Sequence, residues 1–307
     1  MRKITLLLFM FFILFASCDS QYSEDETQEE FFCGGACNKT TNIMVGSQGQ
    51  ILKNANGSLT WKKTESNTDK NLLDAYYSEE NNCFYVAGQY GTVAVSDDNE
   101  ITWGSRNTNP EYHLFGIAAN KDKIMTVGKS LVLLFSKNGG LEWERLYKGV
   151  PQLAFYDIAF GNDFWIAVGD YSNVIVVSDK TNKIVTDTRA EKDKRRTLKS
   201  VTVDKVNNLW VAVGHEGVIF TSNDNGTSWQ QKTSKTTDDL LSVAFNGKRF
   251  LAVGTNGVIL TSKDGATWNK VQINNNSTFR SVSCTDTHWL AITIDGKKEI
   301  IEDSKIE

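Results

Sequence analysis

Leu240-Leu241-Ser242-Val243-Ala244-Phe245, then Phe250-Leu251-Ala252-Val253-Gly254, then Val258-Ile259-Leu260-Thr261-Ser262, then Thr267-Trp268-Asn269-Lys270-Val271, is the stretch whose reading decides the fold. Four short runs rich in Val, Ile, Phe and Trp, bounded by Gly, Asn and Asp, have strand character, and no helical apolar period extends over a useful length after residue 30. The second run recurs about every 41 residues, a period that belongs to a repeat of four strands rather than to a helical pair. Its copies are Ile43-Met44-Val45-Gly46, Tyr85-Val86-Ala87-Gly88, Met125-Thr126-Val127-Gly128, Ile166-Ala167-Val168-Gly169, Val211-Ala212-Val213-Gly214 and Leu251-Ala252-Val253-Gly254. Leu290-Ala291-Ile292-Thr293 keeps the spacing and loses the glycine.

A four-stranded unit of this length is a propeller blade, a twisted sheet that leaves both faces open until neighbours cover them around an axis. The expected fold is therefore all-β, a single β-propeller of seven blades with four antiparallel strands each, six blades being the alternative. Two prolines against 23 glycines agree with many tight turns between short strands. The first blade starts near Phe32. The last runs from Phe279-Arg280-Ser281-Val282-Ser283-Cys284 to Glu299-Ile300-Ile301-Glu302 and has no outermost run, so the segment before Phe31 or the extreme C-terminus is expected to complete it and latch the ring.

Between the third and fourth runs lies a second signal. Ser222-Asn223-Asp224-Asn225-Gly226-Thr227-Ser228-Trp229 fits the Asp-box pattern S-x-D-x-G-x-[ST]-W. Weaker forms are Ser96 to Trp103 with Asp98, Ser136 to Trp143 with Gly140, and Asn54 to Trp61; Ser262 to Trp268, with Asp264 and Gly265, is one residue short. Ser178 to Val185 keeps only the serine. In such a turn the carboxylate accepts backbone N–H groups, Gly supplies a positive φ and Trp packs beneath the hairpin.

Five such turns in phase with the repeat make the chain similar to the Asp-box propellers (BNR-like repeats), a group that includes bacterial sialidases and photosystem II assembly-factor-like proteins. The resemblance implies that the boxes fasten turns and do not catalyse. A sialidase-type site needs an arginine cluster for the substrate carboxylate, a Tyr/Glu pair and an acid. The Arg-Ile-Pro signature of such enzymes is absent, and nothing in the sequence selects a triad from Arg106, Arg145, Arg189, Arg195, Arg196, Arg249 and Arg280. The expected function is a non-catalytic binding, scaffold or assembly-factor-like protein without cofactor. A sialidase-type glycoside hydrolase or a glycan-binding protein is the alternative.

The ends add a compartment. Arg2-Lys3 precedes an apolar stretch from Ile4 to Ala16, and Phe15-Ala16-Ser17-Cys18 resembles a bacterial lipobox, in which Cys18 receives the lipid. An ordinary secretory signal cleaved near Ser17 is the other reading. Residues 1–17 are thus expected to be a signal peptide, residues 18–30 an acidic tether without aliphatic residues, and 31–307 the propeller. Either signal takes the mature chain out of the cytoplasm, with a lipid membrane as one partner through Cys18. Net charge is −4, which together with the compartment argues against nucleic acid.

Within an up-and-down blade the second-to-third-strand turns share a rim with the blade-to-blade connections, opposite the Asp-box turns. That variable rim, carrying Tyr90, Asp170, Tyr171, His215 and Glu216, is the expected face for a protein partner or a glycan. The connection from Arg189 through Arg195 and Arg196 to Lys199 is the strongest local charge feature and is expected to dock an acidic protein or anionic glycan. His113, His215 and His288 sit in different blades without paired spacing, so no metal site is expected. An oxidising compartment favours disulfides. Cys37 and Cys284 occupy equivalent positions in blades that ring closure makes neighbours, which suggests one covalent latch, with Cys33 and Cys83 as the second pair.

Overall fold

A computed structural model describes residues 31–306 apart from 56–57, 59, 97–101, 148 and 191–195. It holds seven antiparallel sheets, each an up-and-down meander of contiguous strands. The blades span residues 32–64, 72–105, 114–147, 155–189, 198–232, 240–270 and 279–302. Strands are lettered a to d from the axis outward. Six blades have all four; the seventh has three among the described residues.

Strand b is the buried spine of every blade, as in Phe164–Gly169 and Leu209–Gly214, where five of six residues are buried. Neighbouring blades cover both of its faces, which is why it reads as a continuous apolar run and not as an alternating one. Its terminal glycine is steric in origin. A Cβ on Gly46, Gly128, Gly214 or Gly254 would stand 1.8 to 2.0 Å from the carbonyl oxygen of Phe31, His113, Thr197 or Asp239. Each of those carbonyls precedes strand a and accepts the amide that follows the glycine, as in His215 N to Thr197 O at 3.0 Å and Thr255 N to Asp239 O at 2.9 Å. Blade 7 keeps this bond, Ile294 N to Thr278 O at 3.0 Å, with Thr293 in place of glycine.

Strand a carries a bulge after its first residue in all seven blades. The residue after the bulge makes the joints between blades. Asp74 accepts the Ile117 amide (3.0 Å), Asp157 accepts the Val201 amide (2.9 Å) and the Ser200 hydroxyl (2.8 Å), Ser200 accepts the Val243 amide (3.2 Å) and Ser242 accepts the Val282 amide (3.1 Å). Where this residue is Gly34 or Gly116, an added Cβ would press on the backbone of Asp74 or Asp157.

The expected latch is corrected in its C-terminal form, since the chain after Glu302 adds no strand. Blade 7 has no fourth strand among the described residues, and the part of that expectation that falls before Phe31 lies outside them. After Glu302 the chain turns at Asp303, whose carboxylate accepts from the Trp289 indole (3.1 Å) and from Asn246 of blade 6 (2.9 Å) and pairs with Arg249 (3.3 Å). Ile306 is buried between blades 6 and 7, and Arg249 also holds its carbonyl. Residues 303–306 are taken up by this turn and form no strand. Blades 1 and 7 instead meet through Phe32, Met44, Leu290 and Ile292.

Neither expected disulfide is found: none of the four described cysteines is bonded to another. Cys33 lies near the variable-rim end of strand a in blade 1, whereas Cys83 pairs with Ser78 at the opposite end of blade 2. Cys37 and Cys284 do face each other across the closure, but each thiol is engaged elsewhere, Cys37 with the Ser283 hydroxyl (3.1 Å) and Cys284 with the Phe245 carbonyl (3.4 Å). Burial pushes the Cys37 thiol up to about 12 and Cys284 well above its ordinary value, so both favour the protonated thiol in the fold.

Candidate functional site

The two rims differ in what their polar groups are free to do. At the Asp-box rim they are engaged locally. Ser222 donates to Asp224 (2.7 Å) and accepts the Gly226 amide (2.9 Å), while Asp224 accepts both the amide (2.9 Å) and the hydroxyl (2.6 Å) of Ser228. Asp264 accepts the amides of Ala266 (2.9 Å) and Thr267 (2.8 Å) and the Ser262 hydroxyl. In blade 3, Asn138 substitutes for the carboxylate, with Ser136 accepting the Gly140 amide at 2.9 Å. Gly140, Gly226 and Gly265 all have positive φ. The indoles of Trp229 and Trp268 donate to the Gly226 and Gly265 carbonyls, and Trp143 reaches across to the Arg106 carbonyl. In blade 2, Ser96 accepts the Phe84 amide and Trp103 is buried; Asp98 lies outside the described residues. Hydrogen bonding, led by the Thr267 amide, holds the Asp264 carboxyl below the usual carboxylate range. Burial pushes Asp224 up, but its bonds to Ser228 and Ser222 outweigh this and leave it lowered. Such carboxylates stay ionised and saturated, unsuited to general acid work.

On the variable rim the tips of the turns are held out. Gln48, Tyr90, Tyr171, Glu216 and Asn256, the central residues of five equivalent turns, all have φ between 54° and 56°. A left-handed tyrosine is uncommon, and such conformations gather at functional surfaces. Tyr90 is 52% exposed, and its ring meets His113 (5.1 Å between centroids) and the Lys70 ammonium (5.6 Å). It borders a cleft of about 780 Å³ between blades 1 and 2, shared with Gln48, Asn67, Lys70 and Asn107. A second cleft of about 480 Å³, between blades 3 and 4, is lined by Leu131, Tyr147, Val150 and Arg189.

The residues singled out from the sequence separate on this rim. Tyr90, Glu216 and Arg189 are exposed; Tyr171 and His215 are half-buried. Asp170 is committed to the scaffold, accepting the Ala154 amide (2.9 Å) and the Thr197 hydroxyl (2.8 Å). The expected basic docking loop is corrected at Arg196, which is buried, its carbonyl taking the Ser172 hydroxyl at 3.0 Å. Arg195 lies outside the described residues.

A further group was missed in the sequence. The bulged second residues of strand a gather at the channel mouth below this rim. The Phe115 and Tyr156 rings stack (5.8 Å, 9°), the Lys199 ammonium sits 3.5 Å from the Tyr156 centroid, and Arg280 donates to the Cys33 sulfur at 3.2 Å. Burial pushes Lys199 down to about 8, against the pull of Asp170 and Asp239, and burial together with Lys199 lowers His215. Only the bulge register reveals this ring, because Cys33, Leu73, Phe115, Tyr156, Lys199, Leu241 and Arg280 share no chemistry. Among the described residues no three His, Cys, Asp or Glu side chains are grouped as metal ligands.

Seven sheets around an axis, Asp-box turns fastening one rim and a varied opposite rim define a propeller of the BNR-repeat class. The chain belongs to the family described as photosynthesis system II assembly factor YCF48, whose sequence pattern matches residues 53–155 and 188–279. Similar solved structures include YCF48 from Cyanidioschyzon merolae (TM-score 0.69, 14% identity, 92% of this chain and 98% of that one). Another is YCF48 bound to D1 peptide (TM-score 0.68, 14% identity, 88% and 91%). The WD40 propeller domain of Doa1 is also similar (TM-score 0.69, 10% identity, 92% and 97%). No curated protein matches the sequence.

Proposed function

We propose that this chain is a lipid-anchored, extracytoplasmic scaffold or assembly factor that holds a segment of a protein partner on its variable rim and carries out no reaction itself. The observation that carries this reading is the cleft beside Tyr90, where an exposed aromatic ring is held at a left-handed turn tip with Lys70 and His113 against it. Rigid aromatic anchors beside a cleft suit capture of a peptide. Membership of an assembly-factor family supports the role, and so does a relative solved with a bound peptide. Anchoring through Cys18 and an envelope location rest on the lipobox-like Phe15-Ala16-Ser17-Cys18.

Affinity capture from membranes with the full chain tests the reading. Tyr90→Ala is expected to lower recovery of the partner about tenfold; unchanged recovery would remove the rim from consideration. Cys18→Ser is expected to release the protein from the membrane fraction. Turnover of a fluorogenic sialoside would move the reading to the glycosidase alternative.

A further inference from the structure

Among the described residues, blade 7 ends on an edge that no further strand covers. Its third strand, Lys298–Glu302, pairs only with His288–Thr293, in the register Trp289↔Ile301 and Ala291↔Glu299. The flanking bonds Thr293 N to Lys297 O and Asp303 N to Thr287 O fix the phase of that ladder. Backbone groups of residues 297, 299, 301 and 303 therefore point to the second strand, and those of Lys298, Ile300 and Glu302 point to the perimeter. None of the three has a backbone partner outside its own ladder among the described residues. The other blades end on two to four residues, except blade 4, whose seven-residue outer strand Lys183–Arg189 has charged residues at three of its four exposed positions. Charge of that kind blunts an edge. Blade 7 also carries charge on its edge, at Lys298, Glu299 and Glu302, but Ile300 and Ile301 leave an apolar centre between them.

The surroundings of the edge are basic. The Lys298 ammonium lies 5.1 Å from the Trp61 ring centroid, which brings the start of blade 1's outer strand alongside. The outer strands on either side, Lys62–Thr64 and Asn269–Lys270, contribute three exposed lysines and no carboxylate. Of the acidic residues of the edge, Glu302 is paired with Lys305 (3.0 Å), while Glu299 accepts a hydrogen bond from the Asn275 amide (2.7 Å) and keeps its charge on the face turned to blade 6. Apolar contact is available from Ile300 and Trp61 on one face and from Val271 and Ile273 on the other, all half-buried. The chain enters the described domain at Phe31, beside the innermost strand of blade 1, well inside this edge.

We propose that the free edge Lys298–Glu302 is a docking site for an extended acidic segment of a partner protein, which adds as the missing fourth strand of blade 7. Main-chain bonds to three residues give the affinity, and the flanking lysines select carboxylates on the side of the added strand that faces blade 1. This site is on the perimeter, separate from the rim, so either can fail without the other.

Glu302 offers a clean test. Its φ of −69° is already that of proline, and its N–H faces outward, so Glu302→Pro removes a docking donor while sparing the ladder to the second strand. The probe is a blocked hexapeptide of alternating Glu and Val, followed by fluorescence anisotropy on the full chain. The acidic peptide is expected to bind and to slow hydrogen exchange at Lys298, Ile300 and Glu302. Glu302→Pro should weaken it about tenfold, while Glu302→Ala should not weaken it. Equal binding by Glu302→Pro, or equal binding of a control hexapeptide of alternating Lys and Val, overturns the proposal. So does protection of these three amides in the protein alone, which would assign the edge to a second copy or to the chain's own N-terminal segment; sedimentation tells those two apart.

Discussion

Blades 4 and 5 solve the same problem in opposite ways. In blade 5 the carboxylate of Asp224 folds back on its own hairpin, and the box tryptophan Trp229 closes the turn from below. Blade 4 has no box. The carboxylate of Asp179 leaves its hairpin, pairs with Lys123 of blade 3 (3.0 Å), approaches Asn120 (3.4 Å) and accepts the indole N–H of its own Trp165 (3.1 Å). Trp165 comes from strand b, not from the start of strand d. Blade 7 repeats the arrangement with Trp289 and Asp303. One blade thus has a fastener local to one turn and the other a fastener that spans two blades, while the strand-b tryptophan, Trp165 or Trp210, is fully buried in both.

The difference has energetic consequences. Asp179→Ala should cost the most, about 3 kcal/mol, because it strands the buried Trp165 indole and the half-buried Lys123 ammonium together. Urea unfolding would show it; a loss no greater than that of a box mutant would make the two fasteners equivalent. Next comes Asp157 on the channel wall, whose carboxyl burial raises to about 6. A carboxyl raised in the folded state adds stability that is complete at low pH and is lost as pH climbs through the folded value. Asp157, together with its neighbour Asp74, which burial and the Asp157 charge also raise, should therefore make folding less favourable at pH 7 than at pH 4, and Asp157→Asn should reduce that slope in urea unfolding. Box carboxylates such as Asp264, held low, contribute in the opposite sense, losing their stabilisation as the solution turns acidic. Asp224→Ala should be mildest, about 1 kcal/mol, since its partners lie in an exposed hairpin where water replaces them.

Much of this architecture could be read from the chain. The glycine ending strand b marks six of the seven blades because one carbonyl presses on the same position in each of those six, so a single steric demand is written into the sequence repeatedly. Blade 4 was recognisable through Gly169 even without its box. What the sequence hid depends on contacts between blades. Asp179 looks like any turn aspartate until Lys123 is seen beside it. Arg196 belongs to a charged run yet is buried, and the Phe115–Tyr156–Lys199 stack follows from a bulge that leaves no mark in composition. Tyr90 and Glu216 could be placed on the variable rim from turn position alone; their left-handed backbone could not.

Because every blade is one contiguous stretch of chain and, among the described residues, no strand is exchanged at the seam, the entropic cost of long loops is confined to one event. Blades can form and stack in any order with only local contacts. Closure then waits for residues 32–37 to meet residues 279–284 across almost the whole length of the domain. The slow step of folding, and the first step of opening, belong to that one joint.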